Sequence, residues 1–285
     1  MIEIHLLEQL EAFAKYGTLS AAAEHLHTSQ PALTRSMKKL EDDLGVTLFI
    51  RSKNKLELNE VGLKAAEYAS FVLQSDRDFE SKVQAYSRNL HTLSIGFCSP
   101  VPQNVLIPII NTIFEGMTVS FDMMDDSLFL DRLLSEEYQL AVVHKKPEGD
   151  EFYYKKCGHE DLYISLTPSD PLTFYPQIHL SDLDGRSILL LSSIGFWANQ
   201  NQSKMPNVKY LLQIDQSSFE ELAENSAYPS FTSSYYINQG LKNPGKIDIP
   251  IVDKECHTDY YLVCLKKKKD YFEQLFDHIH NNTIH

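Results

Sequence analysis

The chain of 285 residues lacks the features that mark membrane-spanning, secreted and disulfide-built proteins. No uninterrupted apolar run approaches the roughly 18 residues that a transmembrane helix needs. Residues 1–10 carry acids where a secretory signal has a basic start and an unbroken apolar stretch, so a cytoplasmic protein is expected. The four cysteines include no C-x-x-C pair, which predicts reduced thiols rather than a zinc site or a disulfide framework.

Positive charge is also scarce, since the formal net charge is −13. The acids are unevenly distributed: residues 1–90 hold 11 Lys and Arg against 13 Asp and Glu, whereas residues 91–285 hold 15 against 26. Residues 27–55 include six basic and three acidic residues, which gives a local net charge of +3. Such a stretch is sufficient for a phosphate-facing patch on an otherwise acidic molecule.

The first 45 residues have the apolar spacing of three short helices. The first stripe ends at Gly17, Thr18 is expected to cap a second helix that runs to Leu26, and Thr28 is expected to cap a third with Pro31 in its first turn. The third helix should end at Gly45, and its predicted buried face consists of Leu33, Met37, Leu40 and Leu44.

A β-hairpin and a long helix are predicted next. Residues 47–51 and 55–58 form two short strands around a polar turn, and Asn59 can cap a helix that runs to about Asn89. The apolar stripe predicted on this helix comprises Val61, Ala65, Ala69, Val72, Leu73, Phe79, Val83 and Tyr86. So long a stripe favours pairing with the same helix of a second subunit, while packing against the chain's own second domain stays open as the alternative.

From residue 91 onward strands and helices alternate, which predicts an α/β fold with an open, largely parallel sheet. The length suits two lobes with a cleft between them. The expected strands are 93–97, 118–124, 140–144, 162–167, 187–191, 210–214, 230–232, 247–252 and 260–265. The expected helices follow Ser99, cover 128–135, cover 219–225 after a capping box at Ser217–Glu220, and cover 269–280.

Two helices joined by a tight turn, followed by a basic hairpin, are typical of DNA-binding proteins, because a helix fits the major groove. Gln30 can pair with adenine and Arg35 with guanine, and Pro31 and the Thr34 methyl group can contact a thymine methyl group. The predicted DNA-binding residues are Ser29, Gln30, Pro31, Thr34, Arg35, Lys38, Lys39, Arg51, Lys53 and Lys55. The last five suit phosphates. Solvated helix or turn residues are the alternative interpretation.

A family resemblance rests on residues at fixed spacing over positions 7–65: Leu10, Phe13, Gly17, Ala22, Ala23, Leu26, Ser29, Gln30, Pro31, Ala32, Leu33, Thr34, Leu40, Glu41, Leu44, Gly45, Leu48, Phe49, Arg51, Leu58 and Gly62. This segment resembles the DNA-binding part of LysR-type transcriptional regulators. The resemblance implies an N-terminal all-α winged helix-turn-helix (1–58), a linker dimerisation helix (59–89) and a two-lobed effector domain (91–285) like periplasmic binding proteins. Lobe I would cover about 91–161 and 266–285, and lobe II about 162–265.

The same resemblance implies a dimeric or tetrameric regulator of promoter DNA that responds to a small-molecule effector, with RNA polymerase as a further candidate partner. The match is looser in the second domain. Gln139 stands where relatives usually have Asp, and 226–232 is rich in Ser, Pro and Tyr where relatives tend to have Gly. No effector identity can therefore be carried over.

Effector candidates are drawn from strand–helix junctions, where α/β folds place ligands and helix N-termini favour anions. They are Ser99, Pro100, Val101, Asp126, Ser127, Ser192, Ser193, Phe196, Thr232 and Ser233. Their hydroxyl groups suit a small carboxylate or another polar metabolite, although Asp125 and Asp126 oppose a highly charged anion. Ordinary helix caps are the alternative interpretation of each junction.

The sequence also bears on two other functions. An α/β enzyme is not expected, because the sequence has no nucleophile elbow, no H-E-x-x-H metal spacing, no G-x-G-x-x-G and no P-loop. No cofactor or metal is expected either. A thiol-based redox regulator of the same family stays open, with Cys98 near the expected cleft and Cys256 and Cys264 eight residues apart.

Overall fold

The structure, a computed structural model, describes residues 2–52, 55–200, 204–241, 243–280 and 283–284. The chain divides into two compact units, Met1–Gln84 and Ala85–His285. None of the helices in the described part of the chain combines the length and the apolar content that a bilayer span requires.

The first unit is a helical domain with a hairpin, as predicted. Its elements are α1 (Ile4–Tyr16), α2 (Leu19–His25), α3 (Gln30–Leu44), β1 (Phe49–Ser52), β2 (Lys55–Leu58) and α4 (Glu60–Asn89), the last of which ends beyond the unit. Gly17 and Gly45 close α1 and α3 in the left-handed conformation, with φ of 74° and 69°. A residue without a Cβ adopts that conformation at little cost, which is why both helices end where the sequence predicted.

The cap of α3 differs from the prediction by one residue. Thr28 is not the N-cap of the helix: it lies in the turn after α2, where its N–H donates to the Ala23 carbonyl oxygen at 2.9 Å. Ser29 is the N-cap instead, and its hydroxyl accepts a hydrogen bond from the Ala32 N–H at 3.3 Å. Leu44, predicted to be buried, is 38% exposed because it lies on the final turn of α3, beyond the last core position, Leu40.

The hairpin is joined to both neighbouring helices at its base. Glu41 of α3 accepts hydrogen bonds from the backbone N–H groups of Leu48 and Phe49 at 2.7 and 3.2 Å. The Asn59 side chain donates to the Thr47 carbonyl oxygen at 2.9 Å and caps α4 by accepting from the Gly62 N–H at 2.7 Å, as predicted. A Cβ on Gly62 would lie 2.1 Å from the Leu48 carbonyl oxygen, so only glycine allows this close approach.

Helix α4 presents two different faces. Ala66 and Ala69 belong to the core of the first unit, and Leu73 is also buried. The predicted stripe is therefore wrong at Ala69 and Leu73, which do not remain available for a partner. Eight large apolar side chains of α4 are exposed, and six of them share one face of the helix at 100° per residue, whereas Leu63 and Phe71 lie off that face. This face, called the exposed α4 stripe, consists of Val61, Tyr68, Val72, Phe79, Val83 and Tyr86.

The second unit is a mixed α/β structure. Its strands are β3 (Thr92–Phe97), β4 (Thr118–Met123), β5 (Leu140–Val143), β6 (Phe152–Leu166), β7 (Ser187–Leu191), β8 (Lys209–Gln213), β9 (Ser230–Ser233), β10 (Ile247–Pro250) and β11 (His257–Leu265). Its helices are α5 (Pro100–Ile113), α6 (Asp126–Leu134), α7 (Trp197–Gln200), α8 (Gln216–Asn225), α9 (Ser234–Asn238) and α10 (Glu273–His278).

The strand order is β4-β3-β5-β11-β6-β9-β7-β8, with β10 also paired to β6. The prediction of a largely parallel sheet is wrong, because β11 pairs antiparallel with β5 and β6, and β6 pairs antiparallel with β9 and β10. The parallel pairs lie toward the two ends: β3 with β4 and β5, and β7 with β8 and β9. This arrangement joins two small parallel sheets through long antiparallel strands, the two-lobed plan that the resemblance implied.

Several local predictions for this unit need correction. Strand β6 begins at Phe152, ten residues before the predicted strand, because polar and aromatic residues hide its alternation. Strand β11, expected in lobe II, pairs with β5 and with Phe152–Asp161 of β6, alongside the strands expected in lobe I. No Ser217 capping box opens α8; instead the Asp215 carboxylate accepts from the Ser218 N–H at 2.8 Å. The terminal helix α10 is shorter than predicted, and two 3₁₀ turns at 266–268 and 270–272 precede it.

Gln139 has a structural role in the first lobe. Its side chain is buried, accepts from the Ser94 N–H at 2.6 Å and donates to the Thr92 carbonyl oxygen at 3.1 Å. Both contacts are with the backbone of β3, next to β5. The amide therefore supplies a donor and an acceptor that a carboxylate in the same place could not both provide.

Candidate functional site

The exposed surface at the start of α3 gathers most of the predicted DNA-binding residues. Leu33, Met37 and Leu40 point into the core of the first unit. The exposed side of the same helix carries Ser29, Gln30, Pro31, Arg35 and Lys38. The spacing of Pro31, Arg35 and Lys38 places them one above another on a single face. The helix therefore presents a continuous polar and basic surface, beginning at its N-terminus.

Two residues of this surface are held by neighbouring groups. The Gln30 side-chain oxygen accepts a hydrogen bond from the Ser20 hydroxyl of α2 at 3.1 Å. Thr34 is half-buried, and its hydroxyl donates to the Gln30 carbonyl oxygen at 2.9 Å. The contact with Ser20 involves the Gln30 side-chain oxygen and not its amide nitrogen.

Lys39 differs from the other predicted phosphate contacts. Its ammonium group pairs with Glu3 and lies 3.6 Å from Asp43. The hydrogen bond with Glu3 raises the pKa of Lys39 and lowers that of Glu3. Part of its charge is thus balanced within the chain, so Lys38 is the stronger phosphate candidate on α3.

The hairpin residues are described only in part. Arg51 and Lys55 lie in β1 and β2, where Arg51 pairs with Leu56 and Lys55 with Ser52, and only their backbone is described. Lys53 lies outside the described residues.

The second unit contains a cleft of about 850 Å³. Five of the predicted effector residues line it: Pro100, Val101, Ser193, Thr232 and Ser233. Ser192 and Phe196, again with Ser193, line a smaller neighbouring cavity of about 290 Å³. The structure describes only the backbone of Ser127.

Ser99 and Asp126 line neither cavity, and both make internal contacts. Ser99 occupies the N-cap position of α5 but makes no side-chain cap, because its buried hydroxyl pairs with the Tyr260 hydroxyl at 2.7 Å. The Asp126 carboxylate accepts from the backbone N–H groups of His144 and Lys145 at 2.9 and 3.0 Å. These contacts fix the ends of β3 and β5 beside the cavities.

Cys98, Asp126 and His144 are the one group in the described ranges whose sulfur, oxygen and nitrogen atoms could converge on a metal, since these atoms lie within 4.8 Å of one another. The same Asp126 oxygen that accepts the two backbone N–H groups lies 2.7 Å from His144 Nδ1. The His144 ring also stacks on Phe196 at 3.9 Å. The two side chains are therefore in close buried contact, although His144 Nδ1 and Asp126 Oδ1 make no hydrogen bond within the described part of the chain.

A buried carboxyl group that the sequence analysis missed lies in the cleft. Glu160 of β6 is 3% exposed and lines the cleft wall. It accepts hydrogen bonds from the Tyr260 hydroxyl and, at 3.4 Å, from the Trp197 indole N–H. The pKa of Glu160 is raised above its ordinary value, because the effect of burial exceeds the lowering by these hydrogen-bond donors. In the sequence Glu160 is only an acid within an aromatic-rich stretch. Because the sequence does not predict a strand over 152–161, it does not indicate that this acid lies in a cleft.

All four cysteines are buried. Burial raises the pKa of Cys157, Cys256 and Cys264 to about 12 and that of Cys98 well above its ordinary value. Reactive cysteines instead have a lowered pKa and some exposure, because the thiolate is the nucleophile. The thiol environments therefore give no support to the redox alternative.

We expect the native chain at about pH 7.5 to resist alkylation by iodoacetamide at all four cysteines, because almost no thiolate forms below the raised pKa values. Mass spectrometry of native and urea-unfolded samples measures this, with the unfolded chain as the positive control. Rapid modification of native Cys98, or a change in DNA affinity after peroxide treatment, would contradict the expectation.

A winged helix-turn-helix joined to a two-lobed α/β unit defines a class of bacterial regulatory proteins. The profile of the lysR family of bacterial regulatory helix-turn-helix proteins matches residues 4–63, and that of the LysR substrate binding domain matches residues 88–283. The chain belongs to the LysR family of transcriptional regulators.

Similar proteins are also regulators. An uncharacterised helix-turn-helix transcriptional regulator from Bacillus subtilis, YcgK, is 34% identical over 234 residues, covering 70% of this chain and 72% of the relative. A hydrogen peroxide-inducible genes activator from Dickeya chrysanthemi is 27% identical over 194 residues, covering 67% of this chain. The chain spans only 64% of that activator's length. A full-length OxyR variant from Pseudomonas aeruginosa shares the fold, with a TM-score of 0.52, 20% identity and coverage of 98% and 100% of the two chains.

Proposed function

We propose that this chain is a DNA-binding regulator whose promoter affinity is controlled by a small molecule held in the cleft of the second unit. The observation that carries the proposal is the exposed polar and basic surface on the first turns of α3, with a hairpin joined to that helix by Glu41. An α-helix fits the major groove of B-DNA with its N-terminal residues at the base edges.

The residues on this surface have distinct roles in the proposal. Arg35 pairs with guanine, and the Gln30 amide nitrogen donates to an acceptor on a base. Ser29, Pro31 and Thr34 contact bases or the sugar–phosphate backbone beside them. Lys38 binds phosphate, with Lys39 contributing less because of Glu3. Arg51, Lys53 and Lys55 of the hairpin complete the phosphate contacts.

The proposal includes a dimer paired through the exposed α4 stripe. A row of six large apolar side chains is costly to leave in water, and burying it against a second copy removes that cost. Dimerisation also compensates for the small local charge, because two linked DNA-binding units engage two half-sites with a high effective concentration. Pairing of dimers into tetramers and contact with RNA polymerase are further predictions from the family resemblance.

The cleft supplies the regulatory site in this proposal. It is bounded by the end of β4, the start of α5, strand β7 and strand β9, so a ligand there contacts elements at both ends of the mixed sheet. A ligand that binds one arrangement of the lobes more tightly shifts the population toward it. Pro100, Val101, Ser193, Thr232 and Ser233 are the proposed contacts, with Ser99, Asp126, Ser127, Ser192 and Phe196 supporting or adjoining them.

Selection of bound sequences from a random pool of duplex DNA by the full chain tests this function. We expect a partly palindromic site with two separated half-sites, since a two-fold dimer reads both strands equivalently. Deoxyribonuclease footprinting on the selected site provides the control for register. If no sequence is enriched, the proposal is wrong as a whole. If a single unpaired half-site is enriched, the proposed dimer is wrong.

A further inference from the structure

We propose that the cleft of the second unit takes an organic cation, an amine or a quaternary ammonium compound with an apolar body, and that Glu160 selects it. This inference rests on the proposed function, in which the cleft is the effector site. It replaces the sequence-based expectation of a small carboxylate.

The charged residues that line the described part of the cleft have one sign. Glu160 lies in its wall, and Glu220 and Glu224 of α8 are exposed at its edge. No lysine, arginine or histidine lines the cleft in the ranges that the structure describes. An anion entering this cleft would be desolvated next to carboxylates without a cation to balance it.

The N-termini of the two long helices that border the cleft, α5 and α8, offer few backbone N–H donors to an anion. Helix α5 begins at Pro100 and has a second proline at Pro102, so two backbone N–H donors are missing from its first turn. At α8 the Asp215 carboxylate already accepts from the Ser218 N–H at 2.8 Å and from the Ser217 hydroxyl at 2.6 Å. Helix α6 carries Asp126 in its first turn. Among the residues that the structure describes, a carboxylate ligand therefore meets no basic side chain, and the ends of α5 and α8 offer it few donors.

Aromatic and aliphatic side chains suit the rest of such a ligand. Five aromatic residues line the cleft: Trp197, Tyr210, Phe219, Phe231 and Tyr236. The negative faces of aromatic rings attract ammonium groups, and tryptophan does so most strongly. Leu162 and Leu189 add apolar surface for a hydrocarbon body. The volume of about 850 Å³ is ample for a metabolite with both parts.

Glu160 is the residue that combines charge with these rings. The indole N–H of Trp197 donates to one of its carboxylate oxygens at 3.4 Å, so the carboxylate and the indole ring border the same part of the cleft. The Tyr260 hydroxyl, itself bonded to Ser99, donates to the same oxygen. These donors orient the carboxylate, and an ammonium group in the cleft supplies the opposite charge that a buried carboxylate requires.

The test measures ligand binding to the full chain by calorimetry with three sets of probes that share shape and differ in charge. The sets are choline, dimethylbutanol and dimethylbutyrate; cadaverine, pentanediol and glutarate; and phenethylamine, phenethyl alcohol and phenylpropanoate. We expect at least one cation to bind about tenfold or more tightly than the neutral and anionic members of its set. Failure of all three cations to bind at about 10 mM, or tighter binding of an anion, overturns the proposal.

Variants assign the selectivity to Glu160. Glu160→Gln keeps the size and an acceptor oxygen, and should reduce the preference for the cation about tenfold while leaving the affinity for the neutral probe intact, which also reports a folded cleft. Glu115→Gln, which changes an exposed acid before β4, is the matched control and should bind as the parent does. If Glu160→Gln does not fold, the Glu220→Gln/Glu224→Gln double variant serves, with a smaller expected loss. An unchanged preference in the variant tested contradicts the proposal.

DNA affinity measured with each bound probe separates this inference from the proposed function. A neutral or anionic probe that binds best and also changes DNA affinity would overturn the cation assignment and keep the effector cleft. A cation that binds through Glu160 without changing DNA affinity would keep the cation site and overturn effector control.

Discussion

Replacing Arg35 with alanine should weaken binding to the selected DNA site by about 1–3 kcal/mol per half-site, or roughly 5- to 150-fold. Arg35 is exposed on the face of α3 that also carries Pro31 and Lys38, away from the buried Leu33 and Met37. Alanine preserves the helix, since it has the highest helix propensity, so the loss reports the missing guanidinium group rather than a change in fold. The loss should be accompanied by relaxed specificity at a guanine position.

Lys38→Ala is the matched comparison on the same helix face. Because a phosphate contact carries no sequence information, this variant should weaken binding to all sequences similarly and reduce the salt dependence of the affinity. Fluorescence anisotropy with the selected site, single-base variants of it and unrelated DNA, each at several salt concentrations, distinguishes the two variants. If Arg35→Ala binds the selected site like the parent, α3 does not read DNA in the way proposed.

Placing a charge in the exposed α4 stripe should separate the subunits. Phe79 is 66% exposed and lies near the middle of the stripe, between Val72 and Val83. In the proposed dimer Phe79→Glu buries a carboxylate among apolar side chains, which costs more than the contact provides. We expect a monomer in sedimentation experiments, and a loss of about 100-fold or more in affinity for a site with two half-sites.

Gln84→Glu is the control for this change, because position 84 is exposed on α4 and points about 140° away from the stripe. It should leave both the oligomeric state and the DNA affinity unchanged. Binding of Phe79→Glu to an isolated half-site should also match the parent, since the reading surface is untouched. If Phe79→Glu is still a dimer at micromolar concentration, the exposed α4 stripe is not the subunit contact.

The first unit could be predicted closely from sequence because its signals are local. Gly17 and Gly45 end helices through their own backbone preference, and Asn59 caps α4 through a contact three residues away. Where the prediction failed, the deciding contact was elsewhere in the chain: Thr28 is used by the turn after α2, and Ala69 is buried by helices far from it in sequence. A periodic pattern identifies an apolar face without identifying what covers it.

The second unit was less predictable because its sheet depends on pairing between distant segments. Strand β11 pairs with β5 and β6, which lie about a hundred residues earlier in the chain, and neither the antiparallel direction nor the start of β6 has a local signal. The acidic lining of the cleft could not be predicted from the sequence for the same reason. Glu160 became visible as a cleft residue only once β6 brought it beside Trp197 and Tyr260.

The contacts at the base of the hairpin determine how a movement of α4 can change DNA binding. Glu41 ties the hairpin to α3, and Asn59 with the close approach at Gly62 ties it to α4. The reading helix, the hairpin and the start of the dimer helix are thus joined by direct contacts, and we expect them to move together. A reorientation of α4 in the proposed dimer then leaves the fit within each half-site unchanged and alters the distance and phase between the two half-sites. On this basis the regulator's response should depend on the length of the spacer in its operator more than on the sequence of either half.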